Sequence, residues 1–226
     1  VYDNLITRDP KGAYKPNLAT KWTWQDGGAS LLMQLRTGVT FSDGTKFDAS
    51  VAKANLDAFV SGNGPYAAPM KGLKVTVASP TSIVLSTKTP QPELLYYLAT
   101  TGSFMASPKA IGTDGLKTKP VGSGPYILES GTVGSQYVLA ANPKYWDKSK
   151  QKFSQITFKI LSDSTARLTA LLSGQVDVTM LDAKTAPTAK SKGFNVNENY
   201  VDWKGVLMFD RAGVKNKAIG DARVRQ

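Results

Sequence analysis

Apolar and polar positions alternate along several short runs of this chain, and each such run predicts a strand. In Lys21-Trp22-Thr23-Trp24 both tryptophans fall on one strand face, and Leu31–Arg36 reads as the partner strand across the turn Gln25-Asp26-Gly27-Gly28. Leu73–Ala78 and Ile83–Thr87 alternate around Ser79-Pro80-Thr81-Ser82, which predicts a second hairpin. Between these pairs the period changes. Val51, Ala54, Leu56, Ala58 and Phe59 give one apolar face to a helix from Ala49 to Val60. Asp48 is placed to cap it, because a carboxylate there accepts from the free amides of the first turn. Ser61-Gly62-Asn63-Gly64-Pro65 ends it. A second helix is expected from Gln91 to Ala99, with Pro92 tolerated in its first turn. The opening Val1–Ile6 is amphipathic and reads as helical.

The stretch Pro120–Lys148 changes the texture. Gly122-Ser123-Gly124-Pro125 is a rigid turn, Tyr126–Ser130 and Gln136–Ala141 are strand-like, and Gly131-Thr132-Val133-Gly134 links them. Asn142-Pro143 stops the second run, and Lys144-Tyr145-Trp146-Asp147 follows with its aromatics. A β-hairpin between two corners results, its glycines read as supplying backbone angles that other residues avoid. Beyond it a strand is expected at Gln155–Leu161. A helix capped by Ser162 or Asp163 runs to Ser173 with Leu168, Leu171 and Leu172 inward, and Gly174 is its left-handed cap. A strand at Val176–Leu181, a helix at Ala183–Lys192 and strands at Phe194–Tyr200 and Gly205–Phe209 complete the order, which predicts an open α/β sheet. The expected division is a small α+β subdomain over residues 1–118 and part of a main α/β sheet over 119–226.

Composition narrows the chemistry. The 226 residues are 41% hydrophobic, enough for a packed core. No histidine and no cysteine is present, which removes disulfides, imidazole and thiolate metal ligands and every Ser-His or Cys-His nucleophile pair. The formal net charge of +11 is spread over lysines scattered singly, the pattern of a solvated basic surface. A basic nucleic-acid- or surface-binding module and a carboxylate-based enzyme are the alternatives this leaves open. No apolar run is long enough to span a bilayer. Gly122-Ser123-Gly124 lacks the lysine and following helix of a phosphate loop, and Asp43-Gly44-Thr45 lacks the carboxylates of a calcium loop. Asp177 and Asp182 read as surface and capping residues. Trp22, Trp24, Tyr145 and Trp146 read as core aromatics. Trp203, between two expected strands beside Asp202, Lys204 and Gly205, reads as a residue of the ligand edge; Tyr66, in a Gly-Pro-Tyr turn, is a second candidate.

Several segments, in order, resemble a known family. Leu35-Arg36-Thr37-Gly38-Val39-Thr40-Phe41-Ser42-Asp43-Gly44-Thr45 is similar to its LR-x-GV-x-FSDGT segment, and Val121–Tyr126 to its GTGPY turn, with Ser123 for threonine. Asn142–Trp146 is similar to NP-x-YW, Leu171–Asp177 to L-x-SGE-x-D and Asp221–Gln226 to D-x-RVRQ. The family is the bacterial extracellular solute-binding proteins of the peptide/nickel type, family 5.

The resemblance implies an incomplete lobe of a periplasmic-binding-protein-like type II fold, with the second lobe absent. It implies a non-enzymatic receptor for an ABC importer that captures peptides or other small solutes by lobe closure and delivers them to a membrane permease. No cofactor, metal or nucleic acid is implied. The intact protein would be extracellular or periplasmic and held as a membrane-anchored lipoprotein, and exposed sheet edges would let this fragment self-associate. The site residues it implies are Tyr66 in GPYAA, Phe104 with Gly102-Ser103 in the loop facing the cleft, and Val201 and Trp203 in the strand entry Tyr200–Val206. Asp210 stands where the family carries asparagine at the strand end.

Overall fold

The tryptophan alternation is satisfied by pairing. In the structure, a computed structural model describing residues 1–62, 67–198, 214–215 and 217–221, β3 (Ala19–Gln25) runs antiparallel to β4 (Ser30–Leu35). Trp22 lies opposite Met33 and Trp24 opposite Leu31, so each indole covers a fully buried core residue. β5 (Lys74–Ser79) and β6 (Ser82–Ser86) form the second hairpin, and the order β3-β4-β6-β5 makes one antiparallel sheet. Strands β1 (Ile6–Arg8) and β2 (Tyr14–Pro16) pair separately.

The helix α1 (Ala49–Ser61) packs against β5 and β6, and Asp48 Oδ1 accepts from the Val51 amide at 2.9 Å as expected of its cap. Its buried face is Val51, Ala52, Asn55 and Leu56; Ala54 and Ala58, expected inward, are exposed. Alanine carries too little apolar surface to set a helix face. Asn55 is buried because it replaces water for a strand it crosses. It donates to the Ala106 carbonyl (2.9 Å) and accepts from the Ala106 amide (2.8 Å). The second helix, α2 (Leu94–Leu98), is shorter than expected and buries Leu94 and Leu98. The core beneath the sheet gathers Leu5, Leu18, Phe41, Leu56, Met70 and Leu98, all fully buried.

Val1–Asn4 is extended, contrary to its expected helical form, because its backbone is claimed by two other segments. Asp3 bridges Met105 and Ala106 bridges Gly122; the Met105 amide donates to the Asp3 carbonyl (3.0 Å) and the Gly124 amide to the Val1 carbonyl (2.7 Å). From Gly122–Pro125 the chain enters β7 (Tyr126–Thr132), which pairs with β8 (Gln136–Ala141) and then β9 (Gln155–Lys159) in a three-stranded antiparallel sheet. The hairpin is therefore as expected, with β7 two residues longer. The reason for its glycines differs, however. Gly122 and Gly124 do not have the left-handed backbone that favours glycine. A Cβ on Gly124 would lie 2.5 Å from the Val1 carbonyl oxygen, and one on Gly122 would lie 2.7 Å from Cδ1 of Tyr2. They are small because another strand passes over them.

The chain divides into two compact units, Val1–Ile160 and Leu161–Gln226. The boundary expected at 118/119 falls inside the first unit, since the segments on either side of it share the pairing just described. In the second unit α3 (Ser164–Leu172) is capped by Asp163, whose Oδ1 accepts from Ala166 at 2.8 Å, and Gly174 has the left-handed φ of +72°. Ala170 and Leu171 are buried, while Leu172, expected inward, is 42% exposed. The helices α4 (Ala186–Ser191) and α5 (Lys217–Gly220) follow. Among the described residues 161–198 contain no strand. Val178 and Met180, expected in one, are strongly exposed. The strand expected at Gly205–Phe209 lies outside the described residues.

Gly124→Val is expected to cost about 1–3 kcal/mol by overpacking against Val1, read as a lower urea midpoint; an unchanged midpoint would refute the close-approach account.

Candidate functional site

The expected ligand-facing residues in the first unit lie on the turn after α2. Thr101–Ser103 forms one helical turn, and Gly102 fits there because a Cβ would press on the Tyr97 carbonyl and Met70. Ser103 is 1% exposed. Its hydroxyl accepts from the Leu5 amide at 2.9 Å and donates to the Leu98 carbonyl. The reading of Ser103 as a ligand contact is thus corrected: its side chain is committed to the chain itself and positions the next residue. That residue, Phe104, is 43% exposed and stacks on Tyr2 with ring centroids 5.9 Å apart. Tyr66, Val201 and Trp203 lie outside the described residues.

What holds this corner is a residue the sequence reading passed over. Asp3 is 5% exposed, and three side chains from the hairpin region donate to its carboxylate. Tyr145 Oη reaches Oδ1 at 3.1 Å, and Trp146 Nε1 and Ser123 Oγ reach Oδ2 at 3.1 and 3.2 Å. Burial pushes the Asp3 carboxyl up from its ordinary value, against the hydrogen bonds from Trp146, Tyr145, Asn17 and Ser123 that favour the anion. Burial together with the Asp3 charge pushes the Tyr145 phenol up, which keeps it a donor. Trp146 is also clamped. The Arg36 guanidinium lies 3.9 Å from its ring centroid and the Lys150 ammonium 4.7 Å. Arg36 Nε donates to the Asn17 carbonyl (3.0 Å) and Lys150 Nζ to Asn17 Oδ1 (3.1 Å). Three motifs of the resemblance thereby meet around one carboxylate: Arg36 from the first, Ser123 from the second, Tyr145 and Trp146 from the third. The available signal was the pairing of an acidic residue in an apolar opening with distant aromatics that carry donors, which spacing does not show.

A further network joins the Ser42–Thr45 turn to the same strand. Asp43 Oδ2 accepts from Ser107 Oγ at 2.5 Å and Oδ1 from Thr45 Oγ1 at 2.7 Å. Burial raises the Asp43 carboxyl less than these bonds lower it, so it stays below its ordinary value. Asp182 is a capping residue, as expected. Thr185, through its hydroxyl (2.8 Å) and amide (2.9 Å), holds the carboxyl at about 2. Asp177 is exposed. A concavity of about 420 Å³ runs along Lys71, Lys88, Pro90 and Glu93 and includes none of the expected site residues. Among the described residues no three metal-ligating side chains gather. What the corner offers is a rigidly held aromatic surface, suited to binding.

The fold is an incomplete lobe of the periplasmic-binding-protein-like type II class. It matches the ABC transporter substrate-binding protein from Sinorhizobium meliloti with a TM-score of 0.76 and 29% identity, over 86% of this chain and 42% of that one. The chain belongs to the family described as bacterial extracellular solute-binding proteins, family 5 middle, whose model matches residues 13–226. It is similar to the glutathione-binding protein of Salmonella paratyphi A, 30% identical over 179 residues, covering 77% of this chain and 35% of that protein. It is also similar to the nickel-binding periplasmic protein of Escherichia coli, 28% identical over 208 residues, covering 88% of this chain and 39% of that protein. The chain thus spans well under half the length of the relatives it matches.

Asp3→Ala leaves three buried donors unpaired and is expected to cost about 2–4 kcal/mol. Asp3→Asn costs less, because its amide can donate to the Tyr145 hydroxyl while its oxygen serves Trp146 and Ser123. The folded state holds the Asp3 proton more tightly than the unfolded chain. Its contribution to stability therefore falls as pH rises from 3.8 to the raised folded value. Asp3→Asn should remove that slope from urea midpoints measured across the range; an unaltered slope would exclude Asp3 as its source.

Proposed function

We propose that this chain forms the ligand-facing part of the first lobe in the substrate-binding component of an ABC importer. The whole protein captures extracellular peptides or related small solutes by closure of two lobes and delivers them to a membrane permease. The family match over residues 13–226 carries this reading. Similarity to a glutathione-binding protein at 30% identity supports a peptide-like solute, since glutathione is itself a tripeptide. Similarity to a nickel-binding periplasmic protein supports the wider class of small solutes. The role is that of a receptor: no bond is made or broken, and nucleic acid has no part in it. The setting that fits is periplasmic or extracellular, with a lipid anchor on the intact form.

Within this reading residues 1–118 carry the small subdomain, the Pro120–Lys148 hairpin crosses to the main sheet, and polypeptide beyond these residues supplies the second lobe. Phe104 is a ligand contact in this reading, positioned by Ser103, and the family resemblance adds Tyr66, Val201 and Trp203 as further candidate contacts. An extended peptide meets its backbone needs by strand-like hydrogen bonds, leaving side chains to pockets and aromatic walls. Closure is favoured only by contacts made in the closed state, so one lobe alone retains little affinity. Among the described residues no strand pairs with the outer edge of β9, and in isolation that edge would take a second copy.

Calorimetry with glutathione and a pool of tripeptides tests this. The expected outcome is saturable binding by the whole-length protein and none measurable by the 226-residue chain. Equal affinity of the two would overturn the two-lobe account, and no binding by the whole-length protein would overturn the peptide-like ligand.

A further inference from the structure

Asp3 is buried in its cage of donors, and Tyr2, one residue earlier, is half-buried outside it. The facing segment repeats the pattern: Met105 is fully buried and Phe104 is exposed. The antiparallel bridge between Asp3 and Met105 therefore brings two outward rings together, with planes 22° apart. Beneath the Tyr2 ring lies Gly122, with no side chain to lift it. Neither ring belongs to the hydrophobic core. Partial burial raises the Tyr2 phenol above its ordinary value, so the ring is neutral. The result is a stacked ring pair, Phe104 exposed and Tyr2 half-buried, held against the Gly122 backbone and the Asp3 cage.

We propose that Tyr2 and Phe104 together form an aromatic shelf that takes a flat side chain of the bound solute, with Tyr2 a specificity-determining residue. This rests on the receptor reading and narrows its ligand to peptide-like solutes carrying an aromatic side chain. Hydrogen bonds to a peptide backbone do not distinguish one side chain from another. A preformed pair of rings does, because it stacks on a third ring with few torsions left to immobilise.

The test is calorimetry on the whole-length protein with two probes, Ala-Phe-Ala and Ala-Ala-Ala. Ala-Phe-Ala is expected to bind about tenfold more tightly, the size of a well-made stacking contact. Tyr2→Ala and Phe104→Ala should each bring that ratio close to one, and the double variant no lower, since the rings act as one surface. Tyr2→Phe should restore the ratio, because the ring and not the hydroxyl makes the contact. Phe104→Leu keeps apolar volume and loses the flat face, so the ratio remains a test should Tyr2→Ala fail to fold. If both tripeptides bind and the ratio survives Phe104→Leu and Phe104→Ala, the shelf is overturned and the receptor reading stands. If neither tripeptide nor glutathione binds the unaltered protein, the peptide-like ligand and the shelf fall together.

Discussion

A carboxylate removed from water is costly unless its lone pairs are met, and Asp3 has them met by residues more than a hundred positions away. That constraint organises the first unit. Tyr145, Trp146 and Ser123 must all reach one point, so the corners of the Pro120–Lys148 hairpin must close on the Val1–Asn4 strand. Gly122 and Gly124 allow the backbone approach. Arg36 and Lys150 then hold the Trp146 ring from its faces, tying β4 and the end of the hairpin region to the same point. A group that destabilises when isolated here selects one arrangement of strands, because other packings leave its charge unpaired.

The same constraint bears on binding. Under the proposed receptor function, a lobe that moves as a rigid body must hold its ligand surface still between closures. Tyr2 adjoins Asp3 and Phe104 adjoins Met105, so the bridge between the two buried residues also brings the rings together. Ser103 adds to this from beneath, its hydroxyl joining the Leu5 amide to the α2 end. In that proposal stability and recognition fall to neighbouring residues, Asp3 and Tyr2, of one extended segment.

Much of the secondary structure was legible. The tryptophan hairpin, the Asp48 cap, the hairpin after Gly124 and the α3 cap with Gly174 follow from period, capping chemistry and turn composition, all local properties. Local reasoning failed where the deciding contact was distant. Val1–Asn4 reads as helical by pattern and is extended because segments elsewhere donate to its carbonyls. Asn55, on the buried face of the helix, is there because the Ala106 backbone needs a partner. Ser103 looks like an accessible hydroxyl in a small-residue loop and is occupied by backbone on both sides.

The family motifs are legible in the sequence as ordered segments, and with them the fold class. Their joint purpose is not, since nothing in a linear spacing says that an arginine, a serine, a tyrosine and a tryptophan from three motifs converge. By itself the sequence determined most of the hairpins and helix caps of residues 19–160, because those depend on neighbours a few residues apart. Only the tertiary structure decided that the GSGPY turn and NPKYW segment close over Asp3, because the cost of a buried charge is settled by what lies across space from it.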